Sequence, residues 1–309
     1  MSRRGPVVAI GIFDGVHRGH QAILARAVRR ARALRTRPVA LTFFPHPAAV
    51  LAPQHVPPLL LSLDQRRAAF AACEVPRTVV LRFTRVLSRW TPEQFVQRVL
   101  VRRLQAREVV VGHDFGFGRG RSGTIKTLRA LGRQYGFRVQ VVPPVRVGHV
   151  RISSRVIRQA IALGRLEVAQ RYLGRPPTVV GRVVRGAGRG KRVGIPTANL
   201  QVTAGVLPPT GVYAVWARWG TGPTRSSSLG GVANLGWRPT VDARRPAHPV
   251  LEVHLFHRRV PRLRGRSLEV AFGHRLRAER RFPSLAALVA QIHRDIASAR
   301  RWLRRQPRP

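Results

Sequence analysis

The sequence predicts a chain in two parts: an α/β domain on a parallel sheet, then a small antiparallel β-barrel closed by one helix. Three observations carry this. Apolar β-like runs alternate with helical patterns through the first half, which implies parallel strands joined by right-handed crossovers. Beyond residue 175 the texture changes to short β-like runs with turn residues between them. Between the two lies Gly174-Arg-Pro-Pro-Thr178, the best linker in the chain. The expected domains are residues 1–175 and 176–309.

In order, Pro6 to Phe13 reads as a strand, and Gln21 to Leu34 as a helix with apolar positions at 23, 24, 27, 28 and 31. Val39 to Phe44 is a second strand, Leu63 to Ala72 a helix and Thr78 to Phe83 a third strand. Thr91, Pro92 and Gln94 spell a helix start: a capping hydroxyl, a proline at the first position and an amide at the third. Glu108 to Val111 is a strand, Ile125 to Tyr135 a helix and Arg138 to Val142 a strand. Ser153 or Ser154 caps a helix to about Leu163, and a short helix ends at Gly174. In the second half the β runs are Thr178 to Val184, Val212 to Trp219, Leu229 to Asn234, Val250 to Phe256 and Ser267 to Phe272. An amphipathic helix, Leu285 to Leu303, follows Ser284 as its cap.

Composition bounds the function. Hydrophobic residues make up 44% of the 309, enough for a sizeable core. A single cysteine, Cys73, excludes a disulfide scaffold and a Cys-rich zinc site. No apolar run approaches a membrane span, and the run Val7 to Phe13 is too short for a secretory signal; a cytoplasmic protein without a membrane partner is expected. Lys+Arg is 57 against Asp+Glu 12, a net charge of +45. Such a charge attracts polyanions. The arginines are scattered rather than clustered, lysine is nearly absent, and no nucleic-acid-binding motif is present, so a GC-rich codon bias is the preferred reading and no specific nucleic-acid partner is expected. Oligomeric state is not legible.

The first chemical motif is Gly11-Ile-Phe13-Asp14-Gly-Val-His17-Arg-Gly19-His20, directly after the first strand. Gly11 and Gly15 permit a tight turn, and the helix start that follows favours phosphate through free N–H groups and its dipole. Two imidazoles separated by one turn of helix can converge on the same phosphoryl oxygens. Thr42-Phe-Phe-Pro45-His46-Pro47 follows the second strand, Gly112-His-Asp114-Phe115 the fourth, and Ile152-Ser153-Ser154 opens a helix bearing Arg158. All fall at carboxyl ends of strands or at helix starts, where open α/β sheets bind ligands.

This set resembles the FMN adenylyltransferase module of bacterial bifunctional riboflavin kinase/FAD synthetases, from about residue 6 to 175. The resemblance implies a Rossmann-like nucleotidyltransferase fold with His17 and His20 catalytic. It assigns Gly11, Phe13, Asp14, Gly19, Ser153, Ser154 and Arg158 to ATP, and Pro45, His46, Asp114 and Phe115 to FMN. The second half extends it. Gly186, Gly188, Arg189, Gly190 and Gly194 lie in a basic loop ending Pro196-Thr197-Ala-Asn199, which is similar to the riboflavin kinase signature and is not a Walker loop. In that family the threonine and asparagine hold ATP phosphates and Mg²⁺, a cation that prefers oxygen ligands. Asn234, Glu252 and Arg277 match further blocks, with Glu252 as the base that takes the ribityl hydroxyl proton. Glu252 is also singled out as a carboxylate in an otherwise apolar strand pattern. The implied substrates and products are ATP, riboflavin, FMN and FAD. The sequence departs from the family pattern at His113, at Arg155 and at Arg262-Leu-Arg264-Gly265. Two other readings stay open: another H-x-G-H adenylyltransferase with an unrelated β-domain, or a flavin- or nucleic-acid-binding protein with decayed catalysis.

Overall fold

The computed structural model describes residues 5–186, 194–220, 227–237, 249–257 and 263–308. The chain packs as two compact units, Met1–Pro57 with Leu63–Ser154, and Pro58–Ser62 with Arg155–Pro309. The first unit therefore ends before the linker motif at 174–178, and the two helices between them group with the barrel.

The first unit is a five-stranded parallel sheet. Its elements run β1 (Val7–Ile10), α1 (Arg18–Ala33), β2 (Pro38–Phe44), α2 (Pro47–Leu51), α3 (Leu63–Ala72), β3 (Arg77–Arg82), α4 (Arg85–Ser88), α5 (Pro92–Phe95), β4 (Glu108–Gly112), α6 (Ile125–Tyr135) and β5 (Arg138–Val142). A π-type stretch, Val96–Arg103, continues α5, and β6 (Arg146–Val147) pairs with β7 (Val150–Arg151) in a small hairpin. The order is β3-β2-β1-β4-β5. Val8, Ile10, Val39, Leu41, Val109 and Val111 pack with Leu100 and Leu128 in one core. α5 starts on the capping box that Thr91 and Gln94 imply, and α6 runs from a Thr124–Thr127 box to a left-handed Gly136. Arg30 of α1 pairs with the fully buried Glu108 of β4 and so fixes that helix on the sheet.

Strand order reverses between β1 and β4, and an open sheet has its crevice outside the carboxyl ends of such a pair. The loop after β1 and the residues after β4 are two of the predicted ligand-binding segments. Two boundaries beside the first motif differ from expectation by three residues each. The first strand stops at Ile10 rather than Phe13, because Phe13 (φ 54°), Gly15 (φ 89°) and Val16 (φ 39°) turn the chain away. The first helix starts at Arg18 rather than Gln21, because the His17 side chain caps it.

The second unit contains α7 (Ser154–Ala162), α8 (Leu166–Leu173) and a closed six-stranded barrel. The strands are β8 (Thr178–Val184), β9 (Ala198–Ala204), β10 (Gly211–Trp219), β11 (Leu229–Trp237), β12 (Pro249–Leu255) and β13 (Ser267–Arg277), in the order β10-β11-β12-β9-β8-β13. Strand β9 is not among the sequence-predicted elements. The lumen holds Val179, Val183, Leu200, Tyr213, Val215, Leu235, Leu251, Val253 and Phe272. The terminal helix α9 (Leu285–Arg304), capped by Ser284, lays Ala299 and Leu303 on the outer wall against Val212, Ala214, Trp216 and Val232.

Candidate active sites

The first site grows from the turn after β1. Phe13 is fully buried in a left-handed conformation that a side chain rarely adopts, so surrounding contacts must hold it. Its ring packs edge-on against Phe70 and His20, and its carbonyl accepts from Val16 N–H. The chain then enters α1. His17 Nδ1 accepts the His20 backbone N–H at 3.3 Å, so in a neutral His17 ring the proton sits on Nε2. A side chain at Gly19 would meet the His17 ring at 3.1 Å, so this glycine makes room for the imidazole over the helix start.

The two rings stack at 3.6 Å between centroids. His17 is buried; His20 keeps some exposure while its Nδ1 is sealed and has no hydrogen-bond partner among the described residues. Burial, reinforced by the neighbouring His17, pushes the His20 pKa well below the ordinary histidine range. A neutral His20 ring stacked on His17 thus stands at the start of a helix, a place that favours phosphate.

The loop is tied from several sides. Ser154 Oγ donates to the Asp14 carbonyl at 2.8 Å, which gives this hydroxyl a loop-holding partner as well as its expected ATP role. Asp14 is itself buried. Arg158 lies four residues further along α7, in the second unit. At the end of β2, Pro45 follows a cis peptide bond and the His46 side chain accepts from Ala48 N–H to cap α2. At the end of β4, the exposed Asp114 carboxylate pairs with Arg151, and Phe115 stacks on Phe117. His113 occupies the departure position with Nε2 enclosed and unpartnered among the described residues. Sequence reasoning missed Arg66, a fully buried arginine beneath this loop.

The second site lies on the outer wall of the barrel. Glu252 of β12 stands opposite Asn199 of β9 on one side and Asn234 of β11 on the other. The same line of partners runs on to Val184, Val212 and Arg277, round the barrel. Strand alternation explains Glu252: Leu251, Val253 and Leu255 face the lumen, and Glu252 and His254 face out. Glu252 thus occupies an ordinary outward polar position and not the uncomfortable apolar setting expected from the strand pattern. What distinguishes it is the neighbouring amides. Asn199 is buried, and a Cβ on Gly186 would stand 2.2 Å from its Nδ2, so a larger residue at 186 must displace this amide. His254 Nδ1 hydrogen-bonds the Pro196 carbonyl at 2.9 Å and pins the entry to β9, carrying Thr197, against β12.

Arg277 makes a bidentate pair with the buried Asp295 of α9, also held by Gln291, so its guanidinium joins the terminal helix to the wall. Gly194 is described, at φ 74°. Gly188, Arg189, Gly190 and Arg262 lie outside the described residues. Among the described residues no cluster of His, Cys, Asp and Glu could hold a metal, and no helix is long and apolar enough to cross a membrane.

A parallel sheet with paired imidazoles at its reversal point, followed by a closed barrel with a carboxylate between two amides, defines a nucleotidyltransferase-type domain joined to a second, β-barrel enzyme domain. The comparisons make this particular. A family model described as FAD synthetase matches residues 1–156, and one described as riboflavin kinase matches residues 173–303. The chain is 39% identical over 300 residues to the bifunctional riboflavin kinase/FMN adenylyltransferase of Escherichia coli K12, covering 97% of this chain and 93% of the relative. It is 41% identical to that of Pseudomonas fluorescens and 33% to that of Bacillus subtilis, covering 96% of this chain in both cases and 93% and 92% of those relatives. The chain belongs to the bifunctional riboflavin kinase/FMN adenylyltransferase family. A crystal structure from Streptococcus pneumoniae described as a macrolide-efflux protein superposes with a TM-score of 0.83 at 28% identity and 98% coverage of both chains. That description stands apart from the relatives' names, and the two family models and the higher identities outweigh it.

Proposed function

We propose that this chain makes FAD from riboflavin in two steps, with residues 176–309 transferring a phosphoryl group and residues 1–175 transferring AMP. In the barrel domain the γ-phosphoryl of ATP passes to the 5′-hydroxyl of riboflavin, giving FMN and ADP. In the α/β domain an oxygen of the FMN phosphate attacks the α-phosphorus of a second ATP, giving FAD and pyrophosphate. No covalent enzyme intermediate is needed, because the nucleophile is already a phosphate oxygen. The observation that carries this reading is the stacked His17–His20 pair at the start of α1, beside the sheet's reversal point.

The residue roles follow the chemistry. His17, His20 and the first amides of α1 donate to the oxygens on the attacked phosphorus, a preorganised arrangement of the kind that stabilises developing charge. Gly11, Phe13, Asp14, Gly19, Ser153, Ser154 and Arg158 shape the ATP side, and Pro45, His46, Asp114 and Phe115 the flavin side. In the barrel, Glu252 accepts the proton of the riboflavin hydroxyl. Asn234, Arg277 and the loop from Gly186 to Pro196, with Gly188, Arg189, Gly190 and Gly194, line ATP and flavin. Thr197 and Asn199 beside Glu252 are oxygen donors of the type a hard cation takes, so the set suits Mg²⁺. Bound there, Mg²⁺ would neutralise charge on the transferring phosphates. A cytoplasmic location, small-molecule partners and no specific nucleic-acid partner complete the reading.

The test is direct. Purified protein incubated with riboflavin, ATP and Mg²⁺ yields FMN and then FAD on chromatography. His20→Ala accumulates FMN, with FAD formation down about 10²–10³-fold. FAD formation at the wild-type rate by His20→Ala removes this residue from the site.

A further inference from the structure

We infer that Arg66 is a positioning residue for AMP transfer, holding the loop that presents the imidazoles against the end of the flavin-side strand. The inference rests on the adenylyl-transfer reading of that site. Arg66 lies on α3 and is 2% exposed, the largest fully buried side chain among the described residues. One nitrogen of its guanidinium donates to the Ile12 carbonyl at 2.8 Å, to Thr42 Oγ1 at 3.2 Å and to the Phe43 carbonyl at 3.4 Å. Thr42, also fully buried, donates its own hydroxyl to the Ile12 carbonyl at 3.0 Å. A single cation therefore joins the residue before the left-handed Phe13 to the strand that leads into Pro45 and His46.

An ionised group is costly to bury, and here burial lowers the Arg66 pKa while nearby Asp14 opposes the shift. Its Nε has no hydrogen-bond partner among the described residues. A hydrophobic residue would fill the space without that cost, so packing does not explain an arginine here. What it supplies is a fixed Ile12 carbonyl next to a backbone conformation that persists only when its surroundings over-determine it. Phe13 then carries that order to His20 through their ring contact.

The test uses the full chain. Arg66→Met keeps length and apolar bulk and removes the donors. FAD formation from FMN and ATP is expected to lose about 10²-fold in kcat, the effect of misplacing reacting groups by about 1 Å, with the KM for ATP little changed. Riboflavin phosphorylation in the same sample stays at the wild-type rate. Arg66→Lys, with charge but no planar fork, falls between the two. If Arg66→Met does not fold, Thr42→Val removes the other half of the clamp and is read the same way. A folded variant with wild-type kcat for FAD overturns the inference, as does a loss confined to KM, or a fall of both activities in step with the melting temperature. His20→Ala run in parallel separates the failures. If only His20→Ala loses FAD formation, the Arg66 inference alone falls; if neither variant does, the reading of the site falls with it.

Discussion

Gly186→Ala isolates the geometry of the barrel site in one methyl group. The added Cβ would stand 2.2 Å from Asn199 Nδ2, 2.5 Å from Cγ and 2.8 Å from Oδ1, where ordinary contacts begin at 3.4 Å. Gly186 does not adopt a left-handed φ, so alanine brings no backbone strain of its own there. The asparagine must therefore retreat by about 1 Å from its place beside Glu252, and a displacement of that size costs about 10²-fold in rate, equivalent to about 2.7 kcal/mol of barrier. The assay follows riboflavin phosphorylation against ATP and Mg²⁺ concentration. The expected result is a kcat lowered by about that factor and a higher half-saturating Mg²⁺, with FAD formation from supplied FMN unchanged. A folded Gly186→Ala protein with wild-type phosphorylation and unaltered Mg²⁺ dependence would refute the reasoning that Asn199 must hold this position.

Glu252→Gln keeps shape but removes the proton acceptor; riboflavin phosphorylation should fall about 10²–10⁴-fold while FAD synthesis from FMN persists, and undiminished phosphorylation by a folded variant would remove Glu252 from the role. His20 has a folded-state pKa below its unfolded value near 6.5, so the native state binds fewer protons and stability rises with pH through the window just below that value. Melting curves at decreasing pH should show a loss below about pH 6.5 that is smaller in His20→Ala, and identical pH slopes would contradict the neutral assignment. The scattered arginines should bind nucleic acid weakly, with affinity collapsing between low and physiological salt; a nanomolar, sequence-selective complex surviving about 200 mM salt would promote nucleic acid to a true partner.

Local signals made much of the fold legible. Helix α6 has the boundaries read from the sequence because a hydroxyl cap, an apolar stripe and a left-handed glycine all act within a few residues. Strand β9 is masked although Asn199-Leu-Gln-Val-Thr alternates polar and apolar residues, since the Pro-Thr-Ala-Asn pattern reads as a loop ending. The H-x-G-H turn was legible for the same local reason. The groups that hold the sites in place were not. Arg66 reaches its loop across 54 residues, His254 its carbonyl across 58, and Ser154 the Asp14 carbonyl across 140. In a chain carrying so many arginines nothing marks the one that is buried. The apolar pattern around Glu252 is only strand alternation, and its amide neighbours come from strand register that only the fold reveals.

The Ser154–Asp14 bond also has a consequence for the order of events during synthesis. At about 5–20 residues per second, the interval between emergence of Asp14 and of Ser154 is on the order of 10 s. Throughout that time the nascent turn after β1 lacks one of its fastenings, even where β1, α1 and β2 have already paired. Competence for AMP transfer therefore arrives late in translation, after the whole parallel sheet has been made. A ribosome stalled between β5 and α7 would display a sheet that looks complete with a loop that is not, and an excised adenylyltransferase module must reach past residue 154 to carry its own clasp.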